Sequence, residues 1–254
     1  MSETAQLASY RVWDRTTRWF HWINVLCVIG LAGFGLAILN ADGLGVTYAG
    51  KIALKSVHVT IGYVLAVNLA WRIVWGFIGG RWARWRALLP RGDGFGEALR
   101  AYVRGFGRGA APYLGHNPLG RIAVTVLLAL LLVQALTGLA LAGTDLYWPP
   151  FGAWIAEWVA AAGADPATLV PHDKTGIDQA AYDAMRAVRA PIVAVHYWNF
   201  WLLCAAVAVH VVAVVVTEIV EGGGLISAMF TGRKTFTRAP VDLADDPPPA
   251  GSSP

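Results

Sequence analysis

Apolar and polar positions segregate along this chain instead of alternating. Four blocks, approximately Trp19–Leu39, Ile52–Phe77, Leu119–Ala142 and Pro191–Val216, are almost free of charge. Each is long enough to cross a hydrocarbon core, which needs roughly 20 residues of helix. With no water to serve the backbone, its polar groups must be satisfied within each segment, so the blocks predict helices and not strands. Between them lie a short turn, "NADGLGVTYAGK", and a basic, aromatic loop that begins "GGRWARWRALLPRGDGFGEALRAYVRG". A long connection, residues 143–190, follows the third block. Its Trp148, Trp154 and Trp158 predict an interfacial helix, and a connection of this length usually carries function. The expected organisation is a lead over 1–18, a four-helix membrane domain over 19–220 and a tail over 221–254 whose acidic, Pro-rich end reads as disordered. No repeat of 20–50 residues is present. The predicted fold is an all-α membrane protein, a bundle of four transmembrane helices with a long outer loop between helices three and four.

Composition agrees with this reading. Of 254 residues, 56% are hydrophobic and 14% charged, against about 25% charged in soluble domains. Cys27 and Cys204 fall inside predicted helices and read as small apolar residues, so no disulfide framework is expected. There is no C-x-x-C-H for covalent haem attachment. The first apolar block follows a charged, Trp-rich lead without a small-residue cleavage site, so helix one is expected to stay in the mature protein. Lys and Arg concentrate in the lead, in the loop after helix two and in the tail. The positive-inside rule then predicts a multi-pass protein with both termini in the cytoplasm and the long connection outside. The net charge of +4 reports topology; no nucleic-acid motif accompanies it. The basic loop after helix two suits lipid headgroups or a peripheral partner.

Four histidines, His21, His58, His196 and His210, lie in or at the ends of the apolar blocks. A lone histidine there is most simply a neutral group bonded to a carbonyl, but ionisable residues at membrane depth mark function by default. His196 and His210 are fourteen residues apart, about 1,400° of rotation, which places both imidazoles on one side of helix four about 21 Å apart along its axis. Depth pairs His21 with His210 toward the inside and His58 with His196 toward the outside. Two imidazoles facing one another between helices are the ligand set of a six-coordinate haem b, and bundle cores hold such cofactors. Zinc wants four close ligands, and a proton relay wants intervening carboxylates or hydroxyls; between His196 and His210 there is little beyond Asn199 and Cys204. A haem-free transporter with histidines along its path is the competing class. Gly30, Gly33, Gly35 and Gly62 leave room for a flat macrocycle, or equally for close helix packing. Arg72 and Arg121 are candidate propionate partners, with snorkelling to headgroups the alternative for Arg121. "GHNPLGR" opens helix three: Asn117 suits the cap and Pro118 the first helical position.

With these histidines, "GHNPLG", "RIVWGFIG" and "GGGLISAMFTGRK", the chain resembles the bacterial di-haem cytochrome b superfamily. That superfamily includes the membrane subunit of uptake Ni,Fe-hydrogenases and relatives serving formate dehydrogenase and thiosulfate reductase. The resemblance runs from "YRVWDRTTRWFHW" to "MFTGRK". It implies a subunit of the bacterial inner membrane holding two haems b and passing electrons between a periplasmic iron–sulfur or cytochrome partner and the quinone pool. A stand-alone cytochrome b quinone oxidoreductase is the variant within this class. It also implies His21 with His210 at the inner haem, His58 with His196 at the outer haem, and a quinone pocket at the start of helix three, where His116 and Asn117 stand. On this reading the chain is an electron-transfer component and not a complete enzyme.

Overall fold

The computed structural model describes residues 7–109, 112–171 and 173–243. His172 and the Pro-rich tail end, for which disorder was the expectation, lie outside the described residues. In chain order the elements are β1 (Ala8–Arg11), α1 (Arg15–Leu39), α2 (Tyr48–Ile78), α3 (Trp85–Leu88) and α4 (Phe95–Gly105), followed by α5 (Pro118–Leu146), α6 (Gly152–Val159), α7 (Gln179–Glu221), α8 (Leu225–Thr231) and β2 (Arg233–Phe236). Four of these, α1, α2, α5 and α7, are long and apolar enough to cross a membrane.

Their surfaces require it. Ile29, Val67, Leu136 and Val209 stand 66%, 70%, 58% and 68% exposed, an apolar surface that water would penalise at roughly 25 cal/mol per Å² and lipid would not. The chain is a multi-pass membrane protein. The 43 residues of α7 make a rod of about 65 Å, so the helix continues past the apolar block at both ends. Its N-terminal turns lie in the connection that the sequence pattern left as loop, because their composition is polar.

The chain divides into two compact units, and each long helix contributes a segment to both. The first unit comprises residues 1–21, 71–128 and 205–254. Here β1 pairs antiparallel with β2, Ala8 opposite Phe236 and Arg11 opposite Arg233. This ribbon of two four-residue strands is absent from the all-helical expectation. Val12, Trp13, Leu114 and Ala228 form a small buried core beside it. Asp14 starts α1 as its cap, accepting from the Thr17 amide at 2.6 Å. Gly232 ends α8 at φ +78°, and an added Cβ there would stand 2.6 Å from the Trp13 carbonyl; that carbonyl's neighbourhood is closed because the Gly232 oxygen takes the amides of Val12 and Trp13.

The second unit comprises residues 22–70 and 129–204. In it α6 packs with the start of α7: Val159 and Met185 are almost fully buried, the Asp178 amide donates to the Val159 carbonyl at 2.9 Å, and the Asp178 carboxylate caps α7 through the Ala181 amide at 2.8 Å. The long connection is therefore tied down, and it keeps Tyr63, whose hydroxyl donates to the Pro149 carbonyl.

Candidate functional site

Each unit contains one pair of the histidines singled out above. In the second unit His58 on α2 and His196 on α7 face each other with ring centres 6.4 Å apart and ring planes at 72°. Two imidazoles bonded to one metal at ~2 Å each bring their ring centres to roughly 6 Å, so the spacing suits a shared ion. Both rings line a cavity of about 470 Å³, within the range of small-molecule and cofactor sites.

Glycines shape this cavity. Gly35 on α1 lies under His58, where a Cβ would meet Cε1 at 3.5 Å, and Gly138 on α5 lies under His196, with Cε1 at 3.4 Å. A Cβ on Gly62, which also lines the cavity, would meet nothing within 4 Å. Gly30 differs, since it sits 3.3 Å from Ile61 and serves helix packing. Among the glycines expected to flank a macrocycle, Gly35 and Gly62 line the cavity.

The tautomer of His196 is set by α5. The Thr137 hydroxyl donates to the Val133 carbonyl at 2.7 Å, leaving its oxygen to accept the Nδ1–H of His196 at 2.9 Å. Nε2 therefore keeps its lone pair, here accepting from the Gln134 amide at 3.1 Å. Asn199 in turn donates to Gln134 Oε1 at 2.6 Å and to the Leu130 carbonyl at 3.0 Å. A metal-binding imidazole almost always has its second nitrogen anchored in this way. The Nδ1 of His58 is buried and makes no hydrogen bond among the described residues. Gln134, Thr137 and Gly138 were missed from sequence because neutral side chains in an apolar block carry no signal of depth or direction.

In the first unit His21 on α1 lies within electrostatic reach of His210 on α7. Arg72 is 4% exposed, packs over Phe20 and Trp85 and donates Nη2 to the Ala83 carbonyl at 2.9 Å. Its Nη1 is buried with no hydrogen-bond partner among the described residues. Arg121 Nη2 meets the carbonyls of Arg86, Leu89 and Arg91 and so ties α5 to α3 and the loop after it, while its Nε is buried without a partner among the described residues.

Asn117 caps α5, accepting from the Gly120 amide at 2.7 Å, and its amide nitrogen donates to the Tyr102 hydroxyl at 2.6 Å. His116 packs against Trp13 with ring centres 4.8 Å apart, and its Nδ1 is buried without a partner among the described residues. Burial, and after it the cations Lys234 and Arg72, hold the imidazole neutral, down to about 3. The loop that presents it is clamped by the C-terminal segment. Asp242 accepts the amides of Leu114 and Gly115 at 2.7 and 2.8 Å. Lys234, pushed down to about 8 by burial, donates to the carbonyls of Tyr113 and Gly115 at 3.2 and 2.9 Å. The Tyr102 hydroxyl is raised, by burial first and then by Glu221.

Comparison with known proteins gives the family. The chain is 26% identical over 240 residues to the probable Ni/Fe-hydrogenase B-type cytochrome subunit of Azotobacter vinelandii, covering 91% of this chain and 90% of that one. It is 25% identical over 245 residues to the protein of the same description from Rhizobium leguminosarum bv. viciae, with 90% of each covered. The probable Ni/Fe-hydrogenase 1 B-type cytochrome subunit of Escherichia coli K12 is 29% identical over 146 residues, 53% of this chain and 61% of that one. No solved structure matches. The family model described as prokaryotic cytochrome b561 matches residues 12–232, and with all four long helices inside that match the chain belongs to the prokaryotic cytochrome b561 family, membrane-bound b-type cytochromes of electron transfer whose cofactor is haem b.

Proposed function

We propose that this chain is a di-haem subunit that carries electrons between a periplasmic redox partner, a hydrogenase-type iron–sulfur subunit, and the quinone pool. The observation that carries it is the opposed pair His58 and His196, 6.4 Å apart across a cavity with glycine walls. The proximity of His21 and His210 supplies a second ligand pair of the same chemistry. Haem b, when bound, supplies reversible one-electron chemistry at iron, and the protein's part is to hold, orient and insulate it.

The residues divide that work. His58 and His196 are the ligands of one haem, His21 and His210 of the other. Thr137 holds the Nδ1 proton of His196, so that Nε2 would be the donor to the metal. Arg72, with its buried unpartnered nitrogen, serves a propionate of the haem held by His21 and His210. His116 offers an imidazole nitrogen to a quinone oxygen, on a loop that Asp242 and Lys234 keep fixed. Asn117, the second quinone candidate, places that loop by capping α5. The termini face the cytoplasm, so quinone protons come from that side, in the inner membrane of a bacterium. The hydrogenase partner is supported by the descriptions of the relatives.

The test is the haem content of the purified chain. Reduced-minus-oxidised spectra with pyridine haemochrome quantitation are expected to give two haems b per chain, and His58→Ala one, with the remaining signal that of the His21–His210 site. A pigment-free, folded protein, or an unchanged two haems in His58→Ala, overturns the assignment.

A further inference from the structure

One end of the cavity between His58 and His196 is charged. Asp145, near the end of α5, accepts from Lys55 Nζ at 2.8 Å and takes a two-pronged contact from Arg189, 2.6 Å from Nε and 3.0 Å from Nη2. All three residues line the cavity together with the two imidazoles, and their side chains are only 21%, 14% and 21% exposed for Lys55, Asp145 and Arg189. Lys55 lies one helical turn before His58 on α2, and Arg189 two turns before His196 on α7. The rest of the wall is apolar apart from Gln134, Tyr63, Tyr197 and Cys204, and Gln134 and Tyr63 already make hydrogen bonds.

Among the described residues that line this end, two cations stand against one carboxylate at the edge of an apolar cavity. Buried charge is costly unless paired, and a bidentate guanidinium is the geometry best suited to a carboxylate. Three separate elements bring their charges to one place. A purely structural ion pair between helices needs only one cation, and the second suits a ligand that carries carboxylates of its own. Resting on the proposal that His58 and His196 hold a haem, we infer that Lys55 and Arg189 are the binding site for that haem's propionate carboxylates, with Asp145 holding the two cations in place. The haem is thereby oriented with its acid edge toward the ends of α2, α5 and α7 that carry these residues, and its apolar edge toward Leu131 and Leu203.

The experiment compares haem b with its dimethyl ester, which has the same ring and no carboxylate charge, in reconstitution of the apoprotein. The wild-type chain is expected to bind the ester at least tenfold more weakly than haem at the His58–His196 site. In Lys55→Met/Arg189→Met the two ligands are expected to bind that site with equal affinity. Equal binding by the wild type, or a penalty that persists in the double variant, overturns the inference. Loss of a haem in His58→Ala, read in parallel, shows that the site exists, so a failure here is separable from a failure of the di-haem reading. Retention of the His21–His210 haem reports folding. Should the double variant not fold, the single variants Lys55→Met and Arg189→Met decide: each is expected to lower the preference for haem over ester, and an unchanged preference in both overturns the assignment.

Discussion

Thr137 decides what His196 can be. Its single proton goes to the carbonyl one turn back, at 2.7 Å, so its oxygen accepts from His196 Nδ1 and leaves Nε2 with the lone pair that the proposed haem ligation uses. An acceptor behind a ligating imidazole also raises its basicity, which favours the ferric over the ferrous state. Thr137→Val keeps the shape and removes the acceptor. The expected result is a rise in the midpoint potential of one haem by roughly 30–60 mV, where 59 mV corresponds to tenfold for one electron, with Thr137→Ser close to wild type. Potentiometric titration measures it, and an unchanged potential in the valine variant would detach Thr137 from the site. The stranded Nδ1–H adds a stability loss of about 1–3 kcal/mol.

At the scale of elements, the apolar helices and their caps were legible, and the long-range ties were not. The four long helices follow from uninterrupted apolar runs, and the Asn117–Pro118 start of α5 from capping chemistry that acts within four residues. The β1–β2 ribbon joins Ala8 to Phe236, and nothing local marks strands of four residues whose partners lie more than two hundred positions away. The four histidines were visible because ionisable groups are rare in apolar helices. Gly138, Gln134 and the Asp145 cluster were not, because their meaning depends on which helix each faces. The clamp on the His116 loop belongs to the same hidden class. Asp242 satisfies two amides at once, and Asp242→Ala strands both at about 1–3 kcal/mol each. If that loop presents His116 to a quinone, Asp242→Ala and His116→Ala are both expected to slow reoxidation of pre-reduced haem by a soluble quinone at least tenfold, with two haems retained. Unchanged rates in His116→Ala would remove the loop from the quinone site.

At the scale of the whole molecule, charge is distributed by unit. Fifteen of the twenty Lys and Arg fall in the unit that contains both termini, against nine of the sixteen acidic residues, leaving it at +6 and the other unit at −2. Charge bias of this kind sets orientation through the basic residues close to helix ends, each worth about 1 kcal/mol near an anionic cytoplasmic leaflet. Arg81, Arg84, Arg86 and Arg91 follow α2 directly, and Arg11, Arg15 and Arg18 surround the start of α1. The opposite helix ends have mainly Lys51, Lys55, Arg186 and Arg189, and of these Lys51 pairs with Asp42 while Lys55 and Arg189 share the single carboxylate of Asp145. The expected orientation is therefore termini in the cytoplasm and the α6 connection in the periplasm, the side from which a periplasmic partner would reach the His58–His196 site. Alkaline phosphatase fused after Gly163 is expected to be active and the same enzyme fused after Lys234 inactive, with green fluorescent protein at those two junctions giving the reverse. Activity at Lys234 and silence at Gly163 would invert the protein, and with it place the electron donor at the other haem.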